Sequence, residues 1–153
     1  MKRFYGLVAV AVFAGGLAAE DKKEAPKFDA SKLEGKWTIT AMTKMGEKVD
    51  TKDMKDPVVI TKDKITTKTG AGEFVFKYTV DAKADPAGVD MEIVSETFKG
   101  TKANGILKLD GDTLMLAYDF DPEAKSPPRP KAFESKKDSK TFSYTMKRVK
   151  EDK

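Results

Sequence analysis

Neither cysteine nor histidine occurs anywhere in the 153 residues. The first absence excludes a disulfide framework, a thiol nucleophile and a thiolate metal site. The second excludes a Ser-His-Asp triad and His-ligated zinc or haem. No glycine-rich phosphate loop is present, and no cofactor is expected. Charges of one sign never cluster. The most basic stretch, "SKKDSK" (Ser135 to Lys140), is broken by Asp138 and reads as a turn, so no nucleic-acid partner is expected.

One long apolar run exists, and it lies at the start. Lys2 and Arg3 precede "GLVAVAVFA" (Gly6 to Ala14), followed by Gly15, Gly16 and the small residues of "LAA" (Leu17 to Ala19). Charge, apolar stretch and small-residue site together predict a signal peptide over residues 1–19. The run is shorter than the ~20 residues a membrane-spanning helix needs, so no stable membrane anchor is expected after cleavage. The expected location is the periplasm or the medium. Without Lys2 and Arg3, the 29 basic residues fall to 27, against 25 acidic ones. That near balance singles out no strongly charged partner.

Residues 20–30, "EDKKEAPKFDA", are charged and poor in apolar side chains and read as a flexible or loosely docked lead-in. From Ser31 the pattern changes to short β-type runs separated by turn residues. A single domain is expected over residues 31–149, with a charged tail at 150–153. The expected strands are 36–44, 57–61, 64–69, 73–80, 89–96, two within 105–118, 131–135 and 141–148. Trp37, Ile39, Ala41 and Thr43 alternate onto one face of the first. Phe74, Phe76, Tyr78 and Val80 share a face of the fourth, and Phe142, Tyr144, Met146 and Arg148 a face of the last. Asp110-Gly111 marks a hairpin of the type I′ kind, in which both central residues take positive φ. Nine one-sided strands linked as neighbours predict an all-β fold, an antiparallel up-and-down barrel, with a two-sheet sandwich as the alternative.

Closure of such a meander would bring the first and last strands together. Trp37, the only tryptophan, could then meet Arg148 in a cation–π stack. This pairing, with Gly35 two residues before the Trp, resembles the calycin signature of lipocalins. The blocks "KLEGKWTITAM", "GILKLDGDTLMLAY" and "RPKAFESKKDSKTFSYTMKR" are similar to those of a lipocalin-like family of secreted domains abundant in planctomycete bacteria. That family has no assigned activity. The resemblance therefore implies a lipocalin-like barrel with Gly35, Trp37 and Arg148 as its structural signature, and no reaction.

Function is then a choice between a barrel holding a small hydrophobic molecule and a packed structural or interaction domain without one. A monomer is expected, and no enzyme. The carboxylates fall on faces opposite the apolar residues. Asp110 and Asp112 fit turn chemistry. Asp119, Asp121 and Glu123 lack the glycine and distal glutamate of a calcium loop, so no metal is expected. For a ligand, the expected lining is Phe76, Tyr78, Leu116 and Tyr118, an apolar throat with hydroxyls for orientation. Its entrance would lie opposite Trp37, beneath the proline-rich connection "DFDPEAKSPPRPK".

Overall fold

The computed structural model describes residues 28–152; the expected leader and most of the lead-in lie outside them. A 3-10 turn (Ala30–Leu33) precedes nine strands. They are β1 (Gly35–Lys44), β2 (Glu47–Val49), β3 (Val58–Ile60), β4 (Lys64–Thr69), β5 (Gly72–Asp81), β6 (Ala87–Ile93), β7 (Lys102–Asp110), β8 (Thr113–Phe120) and β9 (Thr141–Arg148). Every pairing is antiparallel, and β3 to β9 lie side by side in chain order. β1 closes the sheet by pairing with both β3 and β9. The result is an eight-strand up-and-down barrel, with β2 an added strip along the far half of β1.

Period-two alternation supplies the interior. Phe76 and Tyr78 of β5, Val89, Met91 and Ile93 of β6, and Leu114, Leu116 and Tyr118 of β8 all join one buried cluster. β1 departs from the expected alternation. Its register against β9 shifts between Ile39 and Ala41, so Thr40 is an extra residue. Such a bulge inverts the faces beyond it. Met42, not Ala41 or Thr43, therefore packs against the core.

Three more expectations are corrected. Residues 131–135 form no strand, and the ninth strand is β2, which is too short for periodicity to reveal. β6 ends at Ile93, with Val94 to Glu96 in the following turn. The β7–β8 hairpin closes through Gly111 and Asp112, and only Gly111 has positive φ (56°). Glycine at the first central position is the type II′ pattern, not type I′. The I′ pattern occurs instead at β1–β2, where Met45 (φ 52°) and Gly46 (φ 80°) are both left-handed.

One end of the barrel is plugged. Asp29 caps the 3-10 turn by accepting from the Ser31 amide at 3.1 Å and its hydroxyl at 2.6 Å. The turn's last carbonyls have no partner within it, and two side chains from the barrel supply donors. Trp37 Nε1 donates to the Leu33 carbonyl at 2.8 Å. Arg148 donates to the Glu34 carbonyl at 2.9 Å and to that of Lys32. Trp37 and Arg148 are direct cross-strand partners, and the guanidinium lies over the indole at 4.3 Å from its centroid. The expected stack is present. Gly35 has φ +135°, and a Cβ there would sit 3.1 Å from Arg148 Nη1, so the Gly-x-Trp spacing leaves room for the arginine. Phe28, within the expected lead-in, packs on the same core.

Trp37 is fully buried, and Trp37→Ala is expected to cost ~3–5 kcal/mol as a large core truncation. Arg148→Lys keeps the charge but loses the planar fork that serves ring and carbonyls together, and is expected to cost ~1–3 kcal/mol. Urea denaturation of both variants measures these losses. An unchanged midpoint for Arg148→Lys would show that charge alone suffices.

Candidate functional site

β8 runs away from the plugged end, so the connection from Asp121 to Lys140 leaves from the opposite mouth. Its described contacts lie along the outer wall and at the β1–β2 turn. The Pro127 carbonyl accepts from Asn104 Nδ2 at 2.7 Å on the outside of β7. Arg129 then reaches along the outer wall, donating to the Gly105 carbonyl at 2.7 Å and that of Val89 at 3.3 Å, and pairing with Asp90. On the return, the Phe133 carbonyl accepts from Ser143, and Ser135 bridges the Thr141 carbonyl and the Gly46 amide. The expected lid is a strap. Ile106 and Ala117 point outward on the wall it crosses and are buried, as is Pro127 of the strap.

The four expected lining residues all belong to the buried core cluster, but the Tyr78 hydroxyl reaches toward the plugged end, to the Thr61 carbonyl and near Glu34. Phe76, Tyr78, Leu116 and Tyr118 are all buried, and the Phe76 and Tyr118 rings lie 6.2 Å apart. Tyr118 also stacks on Phe142 at 5.5 Å and Tyr144 at 5.8 Å. Gly105 stands opposite Tyr118, and a Cβ there would lie 2.8 Å from that of Tyr118 and 2.5 Å from the Ala117 carbonyl. The close approach of the two strands there requires glycine.

Their hydroxyls are already engaged. Tyr78 donates to the Thr61 carbonyl at 2.7 Å, and the Tyr118 and Tyr144 hydroxyls lie 3.3 Å apart. Every buried side-chain nitrogen or oxygen among the described residues has a partner. Toward the mouth the packing loosens. Phe74, Phe120, Phe142 and Tyr144 are only partly buried, Lys44 sits over the Phe142 ring at 5.1 Å, and Phe98 meets Phe120 edge-on at 5.7 Å.

Three of the acidic positions have structural partners. Asp119 accepts from Thr141, Asp112 faces Arg148 at 3.6 Å, and Asp121 pairs with Lys140 at 2.6 Å. The Lys140 hydrogen bond holds the Asp121 carboxyl below the usual carboxylate range, and the same bond raises Lys140.

Two concavities lie away from the four residues. A small one of about 340 Å³ lies between the β2–β3 connection and the β4–β5 turn, lined by Asp50, Asp53, Asp56 and Lys68 among others. A groove of about 880 Å³ flanks the plugged end, where Phe28, Leu109 and Phe133 converge beside the 3-10 turn and the β5–β6 loop. The sequence contained a signal for the outer layer that makes one wall of this groove. Residues 105–107 and 114–118 are apolar on both strand faces, the mark of a strand covered on two sides.

No family model, curated protein or solved structure matches this chain.

Burial raises the Tyr118 hydroxyl well above its usual ionisation range, with Tyr144 adding to the effect; burial also raises Tyr144 and Tyr78. An unfolded tyrosine ionises at about pH 10. Above that pH the unfolded chain binds fewer protons than the folded one, so stability falls as pH rises toward the folded-state values. Tyr118 alone contributes a slope approaching ~1.4 kcal/mol per pH unit. In a titration of the chain without residues 1–19, followed at the tyrosinate absorbance, Tyr118 is expected to ionise only together with unfolding. Ionisation of all three remaining tyrosines near their ordinary pH in the folded protein would contradict the packed interior.

Proposed function

We propose that this chain is an exported, monomeric, non-enzymatic lipocalin-like domain that binds a partner through its outer surface instead of carrying a ligand inside the barrel. One observation carries this reading. The buried hydroxyls that would orient an interior ligand are paired within the protein, and the aromatic rings that would line its site pack on one another. A ligand pocket of the usual kind presents a few convergent, unused polar groups. Here those groups are engaged. Export rests on the leader pattern of residues 1–19, and intact mass of the exported protein tests it. Cleavage near Glu20 is expected.

A second reading keeps the small hydrophobic molecule and moves it to the mouth. The partly buried rings of Phe120, Phe142 and Tyr144, with the half-exposed Phe98, favour it. Titration with an apolar fluorescent dye separates the two readings. Under the first, neither the native chain nor Tyr118→Ala shows saturable binding at the mouth or interior, apart from any new cavity the truncation opens. Saturable binding to the native chain that weakens in Tyr118→Ala would establish the second.

A further inference from the structure

The groove at the plugged end draws its walls from four separated parts of the chain: the 3-10 turn, the β5–β6 loop, β7 and the strap. Its trough is apolar, formed by Phe28, Pro86, Leu107, Leu109 and Phe133. Each of the four parts contributes one lysine: Lys32, Lys83, Lys108 and Lys131. All four are exposed, and none forms an ion pair with a described residue. Two carboxylates also line the groove. Asp29 accepts from Ser31, which with the nearby Lys32 charge holds it ionised below its usual range; with Asp85, two carboxylates face four ammonium groups and leave the groove net positive.

We infer that this groove binds an extended acidic segment of a partner protein, with an apolar side chain in the trough and aspartates or glutamates against the lysines. The inference rests on the surface-binding function proposed above. Two features favour a peptide over a small amphiphile. The lysines stand on different elements around the groove, so several carboxylates spaced along a chain match them better than one head group does. The groove is also not enclosed. Tight small-molecule sites enclose most of their ligand, whereas a bound chain segment leaves one face exposed. Complementary charge of this kind speeds encounter and selects partners, and salt weakens it.

The test uses the exported chain, isotopically labelled, with a capped hexapeptide of two apolar residues between pairs of glutamates, and its glutamine counterpart. The acidic peptide is expected to shift the amide signals of Phe28, Leu109 and Phe133, and the glutamine peptide to leave them in place. Lys83→Glu with Lys108→Glu is expected to weaken binding by about tenfold or more, without change in the circular dichroism spectrum. Lys83→Ala with Lys131→Ala gives a second, milder pair should the first misfold. Unchanged affinity in a folded variant overturns the inference. So does preferential binding of dodecanoate, or contact of residues 20–27 with Phe133 in the free chain, which would make the groove a seat for the protein's own lead-in. Shifts confined to the mouth around Phe98 would remove the groove but leave surface binding standing. Absence of peptide binding together with saturable interior dye binding would remove both.

Discussion

The guanidinium of Arg148 is where the barrel closes. It stacks on Trp37, takes up the carbonyls of Lys32 and Glu34, and faces Asp112 in the β7–β8 hairpin. Each contact is modest alone, since a cation–π stack adds ~0.5–2 kcal/mol and a charged hydrogen bond ~1.5–3. Together they join four pieces of chain at one point: the 3-10 turn, β1, β9 and the hairpin. A chain with no cysteine has no covalent way to make that closure. The residues concerned are 114 and 116 positions apart in sequence. Such contacts are reached only after a large loss of chain entropy, and they slow folding. A planar donor that satisfies ring and carbonyls together concentrates the reward for that step in one side chain.

The strap has a comparable role on the outer wall. Sheets with one wet face leave outward positions to polar residues, but Ile106 and Ala117 are apolar and buried. Arg129 lies over Gly88, where a Cβ would sit 2.6 Å from its Nη1. The glycine lets a charged side chain lie against the backbone and reach two strand carbonyls. Proline spacing keeps the strap extended with few backbone donors to satisfy. What reads as a loop by composition is therefore a second layer.

The legible parts of this fold were those governed by period-two alternation. Phe74 to Val80, Leu114 to Tyr118 and Phe142 to Arg148 fall on the faces expected, and Trp37 meets Arg148. The misreadings have local causes. Thr40 inserts a bulge that no propensity marks. β2 has three residues and borrows its order from β1. Residues 131–135 have strand composition but hydrogen-bond through isolated carbonyls, with Ser143 donating to that of Phe133. The groove escaped notice because its parts are scattered from Phe28 to Phe133. Only closure of the barrel and the path of the strap bring them together.

The two ends of the barrel end up chemically unlike. At the plugged end, donors and carbonyls match around Trp37, and the ammonium groups of the groove lysines stand outside that network. At the mouth, Met45 and Phe98 are each 48 % exposed and hold left-handed backbone (φ 52° and 59°). Left-handed backbone favours glycine or asparagine and costs a bulky side chain ~1–3 kcal/mol. Met45 is fixed by the I′ turn it shares with Gly46, and Phe98 by its edge contact with Phe120, while Thr101 donates to the Phe98 carbonyl at 3.0 Å. Under the proposed surface-binding role, the packed interior leaves the two ends as the surfaces to compare. One end offers charge around an apolar trough, and the other offers bare apolar tips. Only the first combines a groove with charge that a partner of opposite sign would complement, and the partner is placed there for that reason.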